Sequence, residues 1–253
     1  QDEEAQYVAN KIIEARSRGE NFGDHAVLYR MNAQSNQLEY AFKRNGIPYK
    51  VYGGMRFFDR AEVKDMLAYL CVINNRADDL RLHRIINNPP RGLGAKTIET
   101  AERLADAAQV PLYNVVCDPY SYGPLEKSAP KLMQFTVLME GLAALLDEGM
   151  SLPEFYEEVM NRTGYVAMLE SKPTEENKTR LENVRELKSS ISAYVQNAEE
   201  PTLAGFLEEI ALYTDLDIIS RLELTVSHVI FLHVHKGGIH VSLRKTVSAV
   251  ELA

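Results

Sequence analysis

The sequence predicts a mixed fold, α/β plus all-α: a layer with a parallel sheet, interrupted by a large helical block. Three observations predict it. Helix and strand patterns alternate over the first 60 residues, helical periodicity alone recurs from Asp59 to about Leu216, and beyond Asp217 the composition turns β-branched and apolar again.

In the first segment Ala5, Val8, Ile12 and Ala15 lie at helical spacing, with acids in front and Lys11, Arg16 and Arg18 behind, as the helix dipole favours. Gly19 to Gly23 ends that helix. His25-Ala26-Val27-Leu28-Tyr29 is an apolar run suited to a buried strand, Gln34 to Arg44 is amphipathic, Asn45-Gly46 is a turn, and Tyr49-Lys50-Val51-Tyr52 reads as a second strand. The helical block carries helices near 59–74, 78–87, 95–108, 129–147, 151–161, 174–196 and 202–213. Prolines at Pro89-Pro90, Pro111, Pro119 to Pro130, Pro153, Pro173 and Pro201 stand at helix starts or linkers, where a missing N–H is tolerated. Thr225 to Val234 then reads as a return to the first sheet. The layer is expected from residues 1–60 and 218–253, and the helical block from 61–217.

Charge limits the function classes. With 28 Lys and Arg against 36 Asp and Glu the net charge is -8, so nucleic acid cannot be held by bulk electrostatics and needs focused sites. Cys71 and Cys117 show no metal-ligand spacing and read as buried or free thiols. His233 and His235 form an H-x-H with His240 nearby, but no carboxylate or Cys stands at ligand spacing, so no metal site is expected. The opening Gln1-Asp2-Glu3-Glu4 lacks the order of a secretory signal, and no apolar run looks long enough to span a membrane. A soluble cytoplasmic protein without membrane contact is the expectation. The first residue is not Met and a helical pattern starts at once, which reads as a piece of a longer protein.

The order of motifs carries a resemblance. Ala26-Val27-Leu28-Tyr29-Arg30-Met31-Asn32-Ala33-Gln34-Ser35, then Gly46-Ile47-Pro48-Tyr49, then Tyr52-Gly53-Gly54-Met55-Arg56-Phe57-Phe58-Asp59-Arg60 through Asp65 open it. Arg84-Ile85-Ile86-Asn87, Pro90-Arg91-Gly92-Leu93-Gly94, Thr163-Gly164-Tyr165, Arg180 to Val184 and Asp215-Leu216-Asp217 continue it. This chain resembles the UvrD/PcrA/Rep family of bacterial DNA helicases over roughly residues 1 to 217. The resemblance implies that the α/β layer is part of the second RecA-like domain and that the helical block is the accessory subdomain inserted into it. It also implies a parent enzyme that uses ATP and Mg²⁺ to move 3′-to-5′ along single-stranded DNA and to separate duplex, in repair and replication.

ATP hydrolysis needs a G-x-x-x-x-G-K-[ST] loop and an acid at a strand end, and the sequence has neither. The nearest string, Gly92-Leu93-Gly94-Ala95-Lys96-Thr97, has the wrong glycine spacing and follows prolines. No cofactor is therefore expected on this chain alone, ATP and Mg²⁺ belonging to the full-length parent, and the chain alone is expected to be inactive. Its expected partners are single-stranded DNA, duplex-junction DNA and the remaining domains of the parent.

By resemblance Arg30 holds a single-stranded DNA phosphate and Asn32 the backbone or a base edge. The bland alternative is a surface ion pair for Arg30 and a helix cap for Asn32. Asn36 departs from the family, which commonly has Arg there. Phe57 and Phe58 read as core rather than as base-stacking rings, and Arg56, Arg60, Glu62, Lys64 and Asp65 as ion pairs where the two subdomains join. Arg91, Gly92, Gly94, Lys96 and Thr97 resemble the family's helix-hairpin-helix element on duplex DNA. There the glycines admit a phosphate to free N–H groups at a helix start, and Arg91 and Lys96, both expected to be exposed, add charge. The alternative is a tight interhelical turn.

Near the C-terminus the family has T-x-H-x-x-K-G-L-E-F, whose Glu helps couple DNA to ATP. This chain has His233-Val234-His235-Lys236-Gly237-Gly238-Ile239-His240, without the acid, and the resemblance stops near Ile218; a shifted reading frame would produce such a break. Two rivals stand beside the helicase reading. One is a non-enzymatic helical module that binds a protein partner. The other, a metabolic α/β enzyme, lacks any convergent nucleophile, base or cofactor loop.

Overall fold

The computed structural model describes residues 2–29, 32–49, 51, 56–215, 228–235 and 238–245, with backbone alone for Asp2, Asn32 to Gln34, 212–215 and everything from 228 on. The chain divides into two compact units, one made of Gln1–Arg60 with Ile210–Ala253, the other of Ala61–Glu209.

In the first unit, helix α1 (Asp2–Ser17) precedes strand β1 (His25–Leu28) and helix α2 (Asn32–Arg44), and β2 (His228–His235) and β3 (Gly238–Lys245) follow much later in the chain. The sheet order is β1-β2-β3. β2 runs parallel to β1, with His25 opposite His228 and Leu28 opposite Phe231, and β3 returns antiparallel. A parallel pair needs a long connection, which here is most of the chain. Ala5, Val8, Ala9 and Ile12 of α1 bury against Leu38, Ala41 and Phe42 of α2, because their three- and four-residue spacing puts each set on one helix face. α2 ends in a Schellman motif: Gly46 has φ 65°, its N–H donates to Lys43, and the N–H of Ile47 donates to Phe42 at 2.8 Å. Ile47 is thereby placed in the core.

The expected strand at 49–52 is not found, since Tyr49 and Val51, the described residues among its four, lie in no strand. Tyr49 instead packs its ring 6.0 Å from that of Phe42 and gives its hydroxyl to Glu39 at 3.1 Å.

The second unit is all helix: α3 (Ala61–Asn74), α4 (Asp79–Ile85), α5 (Ala95–Ala108), α6 (Leu112–Cys117), α7 (Ala129–Asp147), α8 (Leu152–Arg162), α9 (Tyr165–Glu170) and α10 (Glu175–Asn197), with α11 (Leu203–Asp215) beginning in it. All but α6 and α9 stand where periodicity puts a helix. Those two have six residues each, too few to display a period. The starts have visible causes: Asp78 accepts from the N–H of Arg81 at α4, Thr174 accepts from the N–H of Asn177 at α10, and prolines occupy the first turns of α7 and α8. Val184, Leu187, Ile191 and Tyr194 make the buried stripe of α10, which packs on α3, α8 and α9. Full burial of a side chain such as Leu187 contributes about 2 kcal/mol.

One expectation is overturned. Gly123–Asp147 has 25 residues and contains an 18-residue stretch with a mean hydropathy of 1.2, long and apolar enough by composition to cross a membrane. Packing accounts for part of that apolarity, because Leu132, Phe135, Met139 and Leu142 recur at helical spacing and are buried where α7 meets α3, α6 and α8, although only 33% of the stretch is buried.

Candidate nucleic-acid interface

The turn from Asn87 to Gly94 joins α4 to α5 and is built around one amide side chain. Asn87 Oδ1 accepts from the N–H groups of Arg91 (2.8 Å) and Leu93 (3.2 Å), which pulls the chain into a loop. Leu93 is buried as its anchor, and Gly92 takes φ 67°, a conformation that costs side-chain-bearing residues energy. Gly94 is the N-cap of α5, so the first N–H groups of that helix have no intrahelical acceptor. Gly92, Gly94, Ala95 and Lys96 are all exposed. Lys96 forms no ion pair among the described residues, and Thr97 lies with its Oγ1 3.2 Å from Ser128 Oγ.

Arg91 departs from expectation. Instead of an exposed side chain it has a half-buried one, turned inward against the unit's core. Nη1 donates to the carbonyls of Ile85 and Pro89, both at 3.0 Å, and Nη2 to Tyr69 Oη at 2.7 Å and the Thr163 carbonyl at 3.2 Å. The guanidinium also stands 5.3 Å from the Phe135 ring centroid and 5.8 Å from that of Tyr69. The physical reason is that four acceptors and two aromatic faces compensate its partial desolvation. A cation the motif reading missed does reach the outer side of the turn: Lys131, exposed at the start of α7, donates from Nζ to the Gly92 carbonyl at 2.7 Å. It lies far from the motif in sequence, and nothing local marks it.

Beneath the turn runs a buried polar group. Asp65 accepts from Arg84 Nε (2.6 Å), Asn88 Nδ2 (2.8 Å) and the Tyr165 hydroxyl (2.7 Å). Tyr69 donates to the Asn88 carbonyl at 2.7 Å while it accepts from Arg91. Burial pushes the Tyr69 hydroxyl up to about 12, so it keeps the proton it donates. Burial and the bond to Asp65 likewise push Tyr165 well up. Glu62 accepts from Asn183 Nδ2 at 2.7 Å, tying α3 to α10.

The string Gly92 to Thr97 does not fit ATP phosphates. It follows a helix and a proline pair, and Asn87 takes the N–H of Leu93 within it as well as that of Arg91 just before it.

In the first unit Arg30 lies outside the described residues, and of Asn32 only the backbone is described, as the first residue of α2. Asn36, at the family's Arg position, is fully buried. Phe57 and Phe58 are buried edge-to-face, ring centroids 5.1 Å apart, as core residues are. Arg60 lies over the Phe57 ring and donates to Ser35 Oγ at 2.9 Å, and Arg56 pairs with Asp59 at 2.8 Å. The histidines of the H-x-H stretch are described in backbone only.

Comparison with known proteins adds identity to this geometry. The chain is 36% identical over 217 residues to ATP-dependent DNA helicase PcrA of Staphylococcus aureus (strain NCTC 8325 / PS 47), which is 85% of this chain and 30% of that protein. PcrA of Staphylococcus epidermidis (strain ATCC 12228 / FDA PCI 1200) is 35% identical over the same length. The chain thus spans 30% of the length of these curated relatives. The family match runs further than the motif reading, which stops near Ile218. It ends at Gly237, the last residue of the retained His233-x-x-Lys236-Gly237, just before the expected Leu-Glu-Phe is replaced by Gly238-Ile239-His240. With residues 1–237 matched, this chain belongs to the UvrD-like helicase C-terminal domain family.

Proposed function

We propose that this chain is a DNA-gripping part of an ATP-dependent 3′-to-5′ DNA helicase of the UvrD/PcrA kind, acting in repair or replication in the cytoplasm. The observation that carries the reading is the exposed turn at the start of α5, with Gly92, Gly94 and Lys96 on the outside, Thr97 half-buried behind them and Lys131 beside them. Such a turn suits the sugar-phosphate edge of duplex DNA: unpaired N–H groups and two exposed cations in a chain otherwise too acidic to hold it. The parallel β1-β2 pair with α1 and α2 supports a partial RecA-like layer discontinuous in sequence, 1–60 with 218–253, around a helical accessory subdomain, 61–217. Arg30 and Asn32 are the proposed single-stranded DNA contacts, Asn32 resting on its place at the start of α2. ATP and Mg²⁺ belong to the parent's other parts, with which this chain would assemble; alone it is read as inactive in hydrolysis. The family match favours this over a protein-binding helical module.

The test is a salt-titrated binding curve on a tailed duplex for the wild type, Lys96→Ala and Lys131→Ala. Each replacement is expected to weaken binding and to flatten the plot of log affinity against log salt by about 0.9, the slope of one phosphate contact. Wild-type slopes in both variants would place the duplex site elsewhere.

A further inference from the structure

The α4–α5 turn carries its cations in two different ways. Lys96 and Lys131 are both exposed on the outer side, Lys131 with its Nζ on the Gly92 carbonyl. Arg91, in the same turn, has both terminal nitrogens engaged with internal acceptors that come from separate places in the helical unit: Tyr69 of α3, Ile85 of α4, Pro89 of the turn itself, and Thr163 after α8. Its backbone N–H is held as well, by Asn87. A planar fork is what such a set of acceptors requires, and an ammonium group could satisfy only some of them at once. The next residue is Gly92, whose positive φ starts the swing toward the α5 N-terminus, and Lys131 closes on its carbonyl from the other side.

We propose that Arg91 is a positioning residue for duplex DNA rather than a phosphate ligand: clasped by Tyr69 and the carbonyls of Ile85, Pro89 and Thr163, it fixes the course of the turn and so presents Lys96 and the first N–H groups of α5. This rests on the duplex-binding reading of the turn. Tyr69 is the hinge of the clasp, because its hydroxyl accepts from Arg91 and donates to Asn88, whose side chain in turn reaches Asp65. The backbone entering the turn is thereby tied to α3, and through Asp65 to Tyr165 on α9.

The experiment separates charge from fork. Duplex affinity is measured for Arg91→Lys, Arg91→Ala and Lys96→Ala, and for Lys96→Ala combined with each Arg91 variant, with helical circular dichroism to show that every variant is folded. Arg91→Lys and Arg91→Ala are both expected to lose about tenfold, the scale of a lost charge-assisted bond, although Lys keeps the charge. In either background Lys96→Ala is expected to cost less than it does alone, since a turn that is no longer held does not present Lys96. Tyr69→Phe removes one hydroxyl and no charge, and it is expected to weaken duplex binding about threefold; it serves if the Arg91 variants do not fold. Wild-type affinity in Arg91→Lys or in Tyr69→Phe overturns the proposal. So do strictly additive losses for Arg91 and Lys96, which would make Arg91 an independent contact. If Lys96→Ala and Lys131→Ala bind as wild type, the duplex-binding reading of the turn falls and takes the proposal with it. A loss in those variants with an additive Arg91 effect sinks the proposal alone.

Discussion

Glu39 on α2 and Asp65 on α3 are both buried carboxylates, one in each unit, and they are held by different chemistry. Asp65 faces a cation, Arg84 at 2.6 Å, with Asn88 and Tyr165 completing its hydrogen bonds. Glu39 is hydrogen-bonded by neutral donors, the Phe57 N–H and the Tyr49 hydroxyl, each at 3.1 Å. Burial pushes the Glu39 carboxyl up, against those bonds, a bond from Ser35 and the charge of Lys43, which all pull it down. A carboxylate removed from beside a cation leaves a charge without its partner, whereas one removed from among dipoles leaves only dipoles. The helical unit is thus tied together by an ionic centre under its exposed turn. In the α/β unit the acid fastens the 3-10 turn at Phe57–Asp59 to α2.

The largest effect is expected from Asp65→Ala, which should lower the stability of the helical unit by about 3 kcal/mol. The figure sits at the low end for such a pair because the Arg84 side chain is 39% exposed. Native-state hydrogen exchange reads the two units separately, and the loss should show in α3 and α9. A loss no greater than that of an exposed pair would erase the distinction.

Glu39→Ala should cost about 1–2 kcal/mol, from the donors it leaves unsatisfied, and Glu39→Gln less, since an amide oxygen still accepts from Phe57. The pH dependence sharpens the contrast. Because the folded carboxyl titrates above its unfolded value, its stabilising contribution is fully present below the ordinary carboxylate range and is lost as pH rises through the raised folded value. Exchange protection of α2 should therefore fall as pH rises through that window in the wild type and stay flat there in Glu39→Gln, once intrinsic exchange rates are corrected for. A flat wild-type profile would mean that the acid is not held as described.

The smallest effect is expected at an exposed pair. Arg180 meets Glu176 at 2.5 Å with side chains 43% and 72% exposed, and Arg180→Ala should cost only about 0.3 kcal/mol by urea unfolding. A loss approaching that of Asp65→Ala would show that burial is not what separates the cases.

Legibility in the sequence followed the same divide between local and distant causes. The boundaries of α5 and α7 were readable because a repeating apolar stripe and a starting proline or glycine are local facts. The strand expected at 49–52 was read from β-branched and aromatic residues alone, and Tyr49 turned out to serve α2 through Phe42 and Glu39. In the candidate site Gly92, Gly94 and Lys96 were found by motif, while Lys131 was not, because its approach to Gly92 depends on how α7 lies beside the turn.

The sequence by itself determined where the longer helices of the helical unit lie, though not α6 or α9, that a glycine turn opens α5, and which family's motifs the chain carries. These follow from backbone sterics and side-chain periodicity, which act over a few residues. Only the tertiary structure decided which way Arg91 faces. Its charge would suit a phosphate or an internal clasp equally well, and the choice was made by Tyr69, Thr163 and Phe135, acceptors and aromatic faces that come within reach only when α3, α7 and the end of α8 have packed.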